Sequence, residues 1–160
     1  MVTFTKAFLV SCFLMLMPVS TQLHAQTIEK KALSMELAKK IAARAETEAK
    51  KNNWTMVIAV VDDGGNLVYL ERMDGTQIGS IEVAIAKAKS ANNYKRPTKA
   101  FEDALVGGRM AVLKLPGAMP LEGGIPIMIE GKVVGAIGVS GGMSSQDGEV
   151  AKAGIEAMDK

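Results

Sequence analysis

A chain of 160 residues with 48% hydrophobic and 22% charged side chains has the length of one domain and enough apolar material for one core. Its formal net charge of +2 leaves no electrostatic footprint for nucleic acid. One cysteine and one histidine in the whole chain exclude an internal disulfide and any metal site built on several thiolates or imidazoles.

Lys6 precedes an apolar run from Ala7 to Met17, followed by Pro18 and a polar stretch ending Leu23-His24-Ala25-Gln26. A basic start, a short apolar segment and a small-residue end make the layout of a secretory signal peptide, with cleavage expected after Ala25. The run is too short for a spanning helix of about 20 residues, so no transmembrane segment is expected. Residues 1–25 are therefore read as a removed leader and 26–160 as a single domain, periplasmic or secreted. Leu9-Val10-Ser11-Cys12 also fits a lipoprotein cleavage box, although the apolar stretch continues past Cys12 as Phe13 to Met17. Cleavage after Ala25 removes both Cys12 and His24, and with them thiolate nucleophiles, Ser-His and Cys-His triads, and zinc sites needing either residue.

Ser34 is placed to cap a helix running to about Lys51, with Leu33, Leu37, Ile41 and Ala45 forming one apolar stripe. Thr55 to Val61 is a β-rich run, Asp62-Asp63-Gly64-Gly65-Asn66 is turn chemistry, and Leu67 to Glu71 is the returning strand of a hairpin. The oxygen ligands of Asp62, Asp63 and Asn66 do not follow the EF-hand spacing, which leaves the turn as their reading. Ser80 is expected to cap a second helix through about Ala91. Pro97 stops it, Thr98 starts a third helix ending near Val106 at Gly107-Gly108, and a short helical turn is expected over 109–113. Lys87, Lys89, Lys95, Arg96 and Lys99 are read as solvated helix surface, or alternatively as a positive rim for a carboxylate or propionate.

The last third is punctuated by glycine. Apolar runs on either side of Glu130-Gly131 predict a second hairpin, whose returning strand ends at Ser140-Gly141-Gly142 and feeds a helix over about 146–158. Gly138-Val139-Ser140-Gly141-Gly142 matches the Gly-x-Ser-x-Gly elbow of α/β-hydrolases, but no histidine is left to serve as its base. Backbone N–H groups near Ser144 and Ser145 offer an anion site, with Asp147 and Glu149 in the first turn as competing caps. Glu122 and Arg109, each placed by a glycine pair, are expected to line a pocket or to pair with one another. Helix, hairpin, helices, hairpin, helix is an α+β layout: an antiparallel sheet with helices packed against a face.

Four segments resemble the GlcG/HbpS haem-binding family: Met56 through Leu67, Ser80 through Thr98 with its Arg96-Pro97-Thr98, the Leu115-Pro116-Gly117 loop, and the terminal glycine-rich block. They occur in the family's order and cover about Leu33 to Met158. The resemblance implies a profilin- or PAS-like antiparallel sheet flanked by helices, assembly into homo-oligomers, and haem as cofactor with possible peroxide-dependent degradation or sensing. It equally implies a second reading, a non-catalytic accessory protein for a small organic anion of the glycolate kind. Without His or Cys thiolate, an iron ligand would come from Tyr94, Tyr69, Met73, Met110, Met119, Met128, a lysine amine or the Thr98 hydroxyl. Tyr94, Arg96 and Thr98 form the candidate cofactor site, because Tyr94 and Thr98 bracket an arginine suited to a propionate. No catalytic constellation and no protein-built metal site are assigned.

Overall fold

The computed structural model describes residues 30–159; the expected leader over 1–25, with Cys12 and His24, lies outside them. Helix α1 (Met35–Lys51) starts where Ser34 adopts an extended conformation and its Oγ accepts the Leu37 N–H at 3.1 Å. Ala38, Ile41, Ala42, Ala45 and Ala49 make its buried stripe. The helix is capped at Asn52, and past it Asn53, at φ 57°, lets the Trp54 N–H return to the Ala49 carbonyl at 2.9 Å.

Strands β1 (Val57–Asp62), β2 (Leu67–Arg72), β3 (Gly124–Ile129) and β4 (Lys132–Ser140) form one antiparallel sheet in the order β2-β1-β4-β3. The first hairpin turns where Asp62 Oδ1 accepts N–H groups from Gly64 at 2.9 Å and Asn66 at 2.8 Å. Those bonds hold the Asp62 carboxyl below its usual range. At the second hairpin, Glu130 and Gly131 take φ of 49° and 75°, the pair of left-handed residues that a two-residue I′ turn needs.

Helices α1 and α4 (Ser144–Ile155) cover one face of the sheet, over Ile58, Val60, Ile137 and Val139. Helix α2 (Ser80–Tyr94) covers the other, over Val57, Ala59, Val61 and Ala136. The layout is thus α+β with an antiparallel sheet flanked by helices, but both faces are closed. The reason is compositional: β1 and β4 are apolar at both parities, and each parity needs its own cover. Helix α3 (Lys99–Val106) and a 3₁₀ turn (Met110–Lys114) pack on each other beside α2. Among the described residues no helix is long and apolar enough to cross a membrane.

Ser80 does not act as the expected cap. The chain enters α2 through tight turns, Ser80 N–H to Gln77 O at 3.2 Å and Ile81 N–H to Ile78 O at 3.1 Å, and Gly79 is already helical. No extended residue is left to fold its side chain back, and the buried Ser80 Oγ has no hydrogen-bond partner among the described residues.

Candidate functional site

The α2–α3 corner brings Tyr94 and Arg96 together. Helix α2 closes at Lys95, in the left-handed region at φ 53°, and Pro97 forbids continuation. The Tyr94 hydroxyl donates to the Pro116 carbonyl at 2.7 Å, pinning the Leu115-Pro116-Gly117 loop to the helix end. Its ring meets Phe101 edge-on, with centroids 5.1 Å apart and planes at 73°. The Arg96 guanidinium lies 5.8 Å from the centroid of the same Phe101 ring, and Nε donates to the Tyr94 carbonyl at 3.3 Å. Phe101 was no sequence candidate; its position on the first turn of α3, one turn after Pro97, was the available signal.

The elements that follow the corner in the chain carry an exposed apolar shelf. Val106, 84% exposed, ends α3, and Met110, 63% exposed, begins the 3₁₀ turn that folds back on it through Arg109 N–H to Ala104 O at 2.9 Å. Leu113 and Leu115 are exposed on the same turn and loop. Large apolar side chains left in water on consecutive short elements are the composition of a binding surface.

Thr98 lies behind the corner. It is 0% exposed; its N–H donates to the Gly124 carbonyl at 2.9 Å, and its Oγ1 accepts the Gly124 N–H at 2.9 Å. Both polar groups therefore clamp the corner onto β3. Gly124 is required there, since an added Cβ would stand 2.4 Å from the Lys87 carbonyl oxygen and 2.6 Å from Thr98 Cγ2. Thr98→Val, which keeps the shape and deletes the acceptor, is expected to cost about 1–3 kcal/mol of unfolding free energy in urea. A loss under a few tenths would show that the clamp contributes nothing.

One of the lysines read as solvated surface is buried. Lys87 is 1% exposed, and its Nζ bonds Asp147 Oδ2 at 2.6 Å, while Asp147 Oδ1 accepts the Gly142 N–H at 3.0 Å. Position 87 lies on the stripe of Ser80, Ala84 and Ala91 that faces the sheet, so the helix carries it inward. Burial pushes the Asp147 carboxyl up, against the pull of the Lys87 ammonium and the Gly142 N–H. The expected pairing of Arg109 with Glu122 does not form. The Glu122 N–H instead meets the Glu102 carboxylate, and burial raises the Glu122 carboxyl despite Lys99 nearby.

The other sequence candidates lie apart. Tyr69, on the edge strand β2, donates to Glu71 Oε2 at 3.1 Å, and burial pushes its phenol up. Met73 packs against the main core, Met119 is half-buried with its N–H on Ser90 Oγ at 3.0 Å, and Met128 is exposed on β3. Ser140 is buried at the end of β4, with no histidine among the described residues to act as its base. At the start of α4 the Met143 N–H is taken by Gln146 Oε1 at 2.9 Å, and the Gly142 N–H by Asp147, so these donors serve caps.

The family described as "Haem degrading protein HbpS-like" matches residues 33–156, from just before α1 to the end of α4. The chain belongs to this HbpS-like family. Protein GlcG of Escherichia coli (strain K12) is 41% identical over 111 residues, spanning 69% of this chain and 83% of GlcG. The crystal structure of HbpS superposes with a TM-score of 0.77 at 31% identity, over 83% of this chain and 94% of that one. A PduOC:heme complex superposes at 0.72 with 26% identity, over 79% of this chain and 95% of that one. The Pro97 break and the glycine-rich hairpin lie inside the matched span.

Proposed function

We propose that this protein binds haem on the shelf beside the α2–α3 corner, and that it works as an exported homo-oligomer. The observation that carries the reading is Arg96 held over Phe101 and against the Tyr94 carbonyl, with Val106, Met110 and Leu113 exposed on α3 and the 3₁₀ turn that follow. A porphyrin needs an apolar surface for its body and a fixed cation for its propionates, and the corner supplies both. The family description and the heme complex of the PduOC relative support the same ligand. Tyr94 and Arg96 are the contact residues in this reading, and Thr98 keeps them in place through Gly124.

The residues offer only weak axial chemistry. The Tyr94 hydroxyl is already spent on Pro116, and Met110 brings the one exposed thioether of the shelf. Haem, when bound, would supply redox iron, and peroxide would be the oxidant consumed in its degradation. Degradation of haem at the expense of peroxide is therefore the activity that suits this surface better than storage. The chain's own part would be to hold a propionate through Arg96 and to offer the exposed apolar side chains to the porphyrin body.

The test is a titration of residues 26–160 with hemin, following the Soret band. A saturable, shifted band is expected, and a spectrum identical to free hemin would refute the reading. Arg96→Ala is expected to weaken binding about 10- to 100-fold, the worth of a charge-assisted contact. Tyr94→Phe should alter the band, because it frees the Pro116 loop. Loss of the band in peroxide faster than for free hemin separates an enzyme from a carrier.

A further inference from the structure

A cleft of about 570 Å³ opens between the segment before α1, the end of α2 and the second hairpin. Four lysines from three separated segments line it: Lys30 and Lys31 before α1, Lys95 at the end of α2, and Lys132 at the start of β4. Two of the four are met by carboxylates. Lys30 bonds Asp63 Oδ2 at 3.1 Å and Lys31 meets the Glu130 carboxylate, whereas Lys95 and Lys132 make no ion pair with any described residue. Met128 and Val133 provide an apolar wall.

Asn92 adds a second, independent observation. It is 5% exposed and lines the cleft; Nδ2 donates to the Asp63 carbonyl at 3.1 Å and to Asn93 Oδ1 at 3.3 Å. Its Oδ1 is buried with no hydrogen-bond partner among the described residues. An acceptor buried unmet costs about 1–3 kcal/mol, and a ligand hydroxyl at the cleft wall removes that cost.

We infer that this cleft is a second binding site, for a small hydroxylated organic anion carrying at least two carboxylate or phosphate groups. Lys95 and Lys132 meet the charged ends as point charges. Met128 and Val133 meet the carbon skeleton, and the Asn92 amide, turned toward the cleft on binding, accepts the hydrogen bond of the ligand hydroxyl at Oδ1. The volume falls within the range of small-molecule sites, about 300–1,000 Å³. The cleft's lining includes neither Tyr94 nor Arg96 nor any residue of α3 and the loop after it.

Calorimetric titration at low ionic strength tests this with citrate, with tricarballylate (citrate without its hydroxyl), and with inorganic pyrophosphate. Citrate or pyrophosphate is expected to bind saturably, and the tighter of the two tells carboxylate from phosphate. The double variant Lys95→Gln/Lys132→Gln, on exposed side chains, should weaken that binding at least tenfold and leave the hemin titration unchanged. Citrate should bind several-fold tighter than tricarballylate, and Asn92→Ala should erase the difference. No saturable heat from citrate or pyrophosphate, or binding indifferent to the double lysine variant, would overturn the site. Loss of hemin binding in that variant would show a single shared site and overturn its independence, while Arg96→Ala reports on the haem reading alone.

Discussion

Lys87→Met is expected to destabilise the protein by about 3–5 kcal/mol, because it leaves the Asp147 carboxylate buried without its cation. Asp147→Asn should cost a similar amount, since it strands the ammonium and weakens the acceptor that holds the Gly142 N–H. The double variant Lys87→Met/Asp147→Leu removes both charges and should recover most of the loss. A buried pair gains Coulomb energy only after both ions have been taken out of water, and apolar replacements of similar volume avoid that cost. Guanidinium unfolding of the four proteins closes the cycle. Single losses below about 1 kcal/mol, or a double loss equal to the sum of the singles, would mean that the pair is not coupled as its 2.6 Å separation implies. The pair matters to the proposed site because Lys87 lies two turns before Tyr94 on α2, and its carbonyl backs Gly124, the residue that Thr98 grips.

What was legible in the sequence was local. The two hairpins follow from turn residues beside their own strands: Asp62 reaches Gly64 and Asn66 within its own turn, and Glu130-Gly131 needs only its two dihedral angles. Pro97 and Gly107 bound α3 for the same reason. Lys87 was misread because its burial depends on a partner 60 residues away, and composition places a lysine outside by default. Thr98 stands at a helix start, where a hydroxyl ordinarily caps, yet its partner is 26 residues on. The lysine cleft takes residues from before α1, the end of α2 and the start of β4, so no window of sequence contains it. Arg96 and Tyr94 are close in sequence, so one window holds both; Phe101 and Pro116, which hold them, required the corner to fold.

Gly138→Ala is expected to be the most damaging single methyl in the protein. Its Cβ would stand 2.0 Å from the Ala84 carbonyl oxygen and 2.5 Å from the Ala88 nitrogen, both backbone atoms of α2. No rotamer relieves a clash with backbone, so α2 must lift from β4 along the seam where Ala84, Ala88 and Ala91 face the sheet. Overpacking of this kind costs about 3 kcal/mol or more, and the lost packing reaches the helix end that carries Tyr94. Unfolding in urea should show the loss, and hemin affinity should fall with it although position 138 is far from the shelf in sequence. Ala88→Gly, added to Gly138→Ala, removes only the 2.9 Å contact with the Ala88 Cβ and should not restore stability, because the two backbone clashes remain. Gly79→Ala is the control: its φ is −59°, nothing lies within 4 Å of an added Cβ, and its stability should stay level or rise by up to about 1 kcal/mol. If Gly138→Ala unfolds at the same urea concentration as the control, the close approach of α2 to β4 is not what seats the corner.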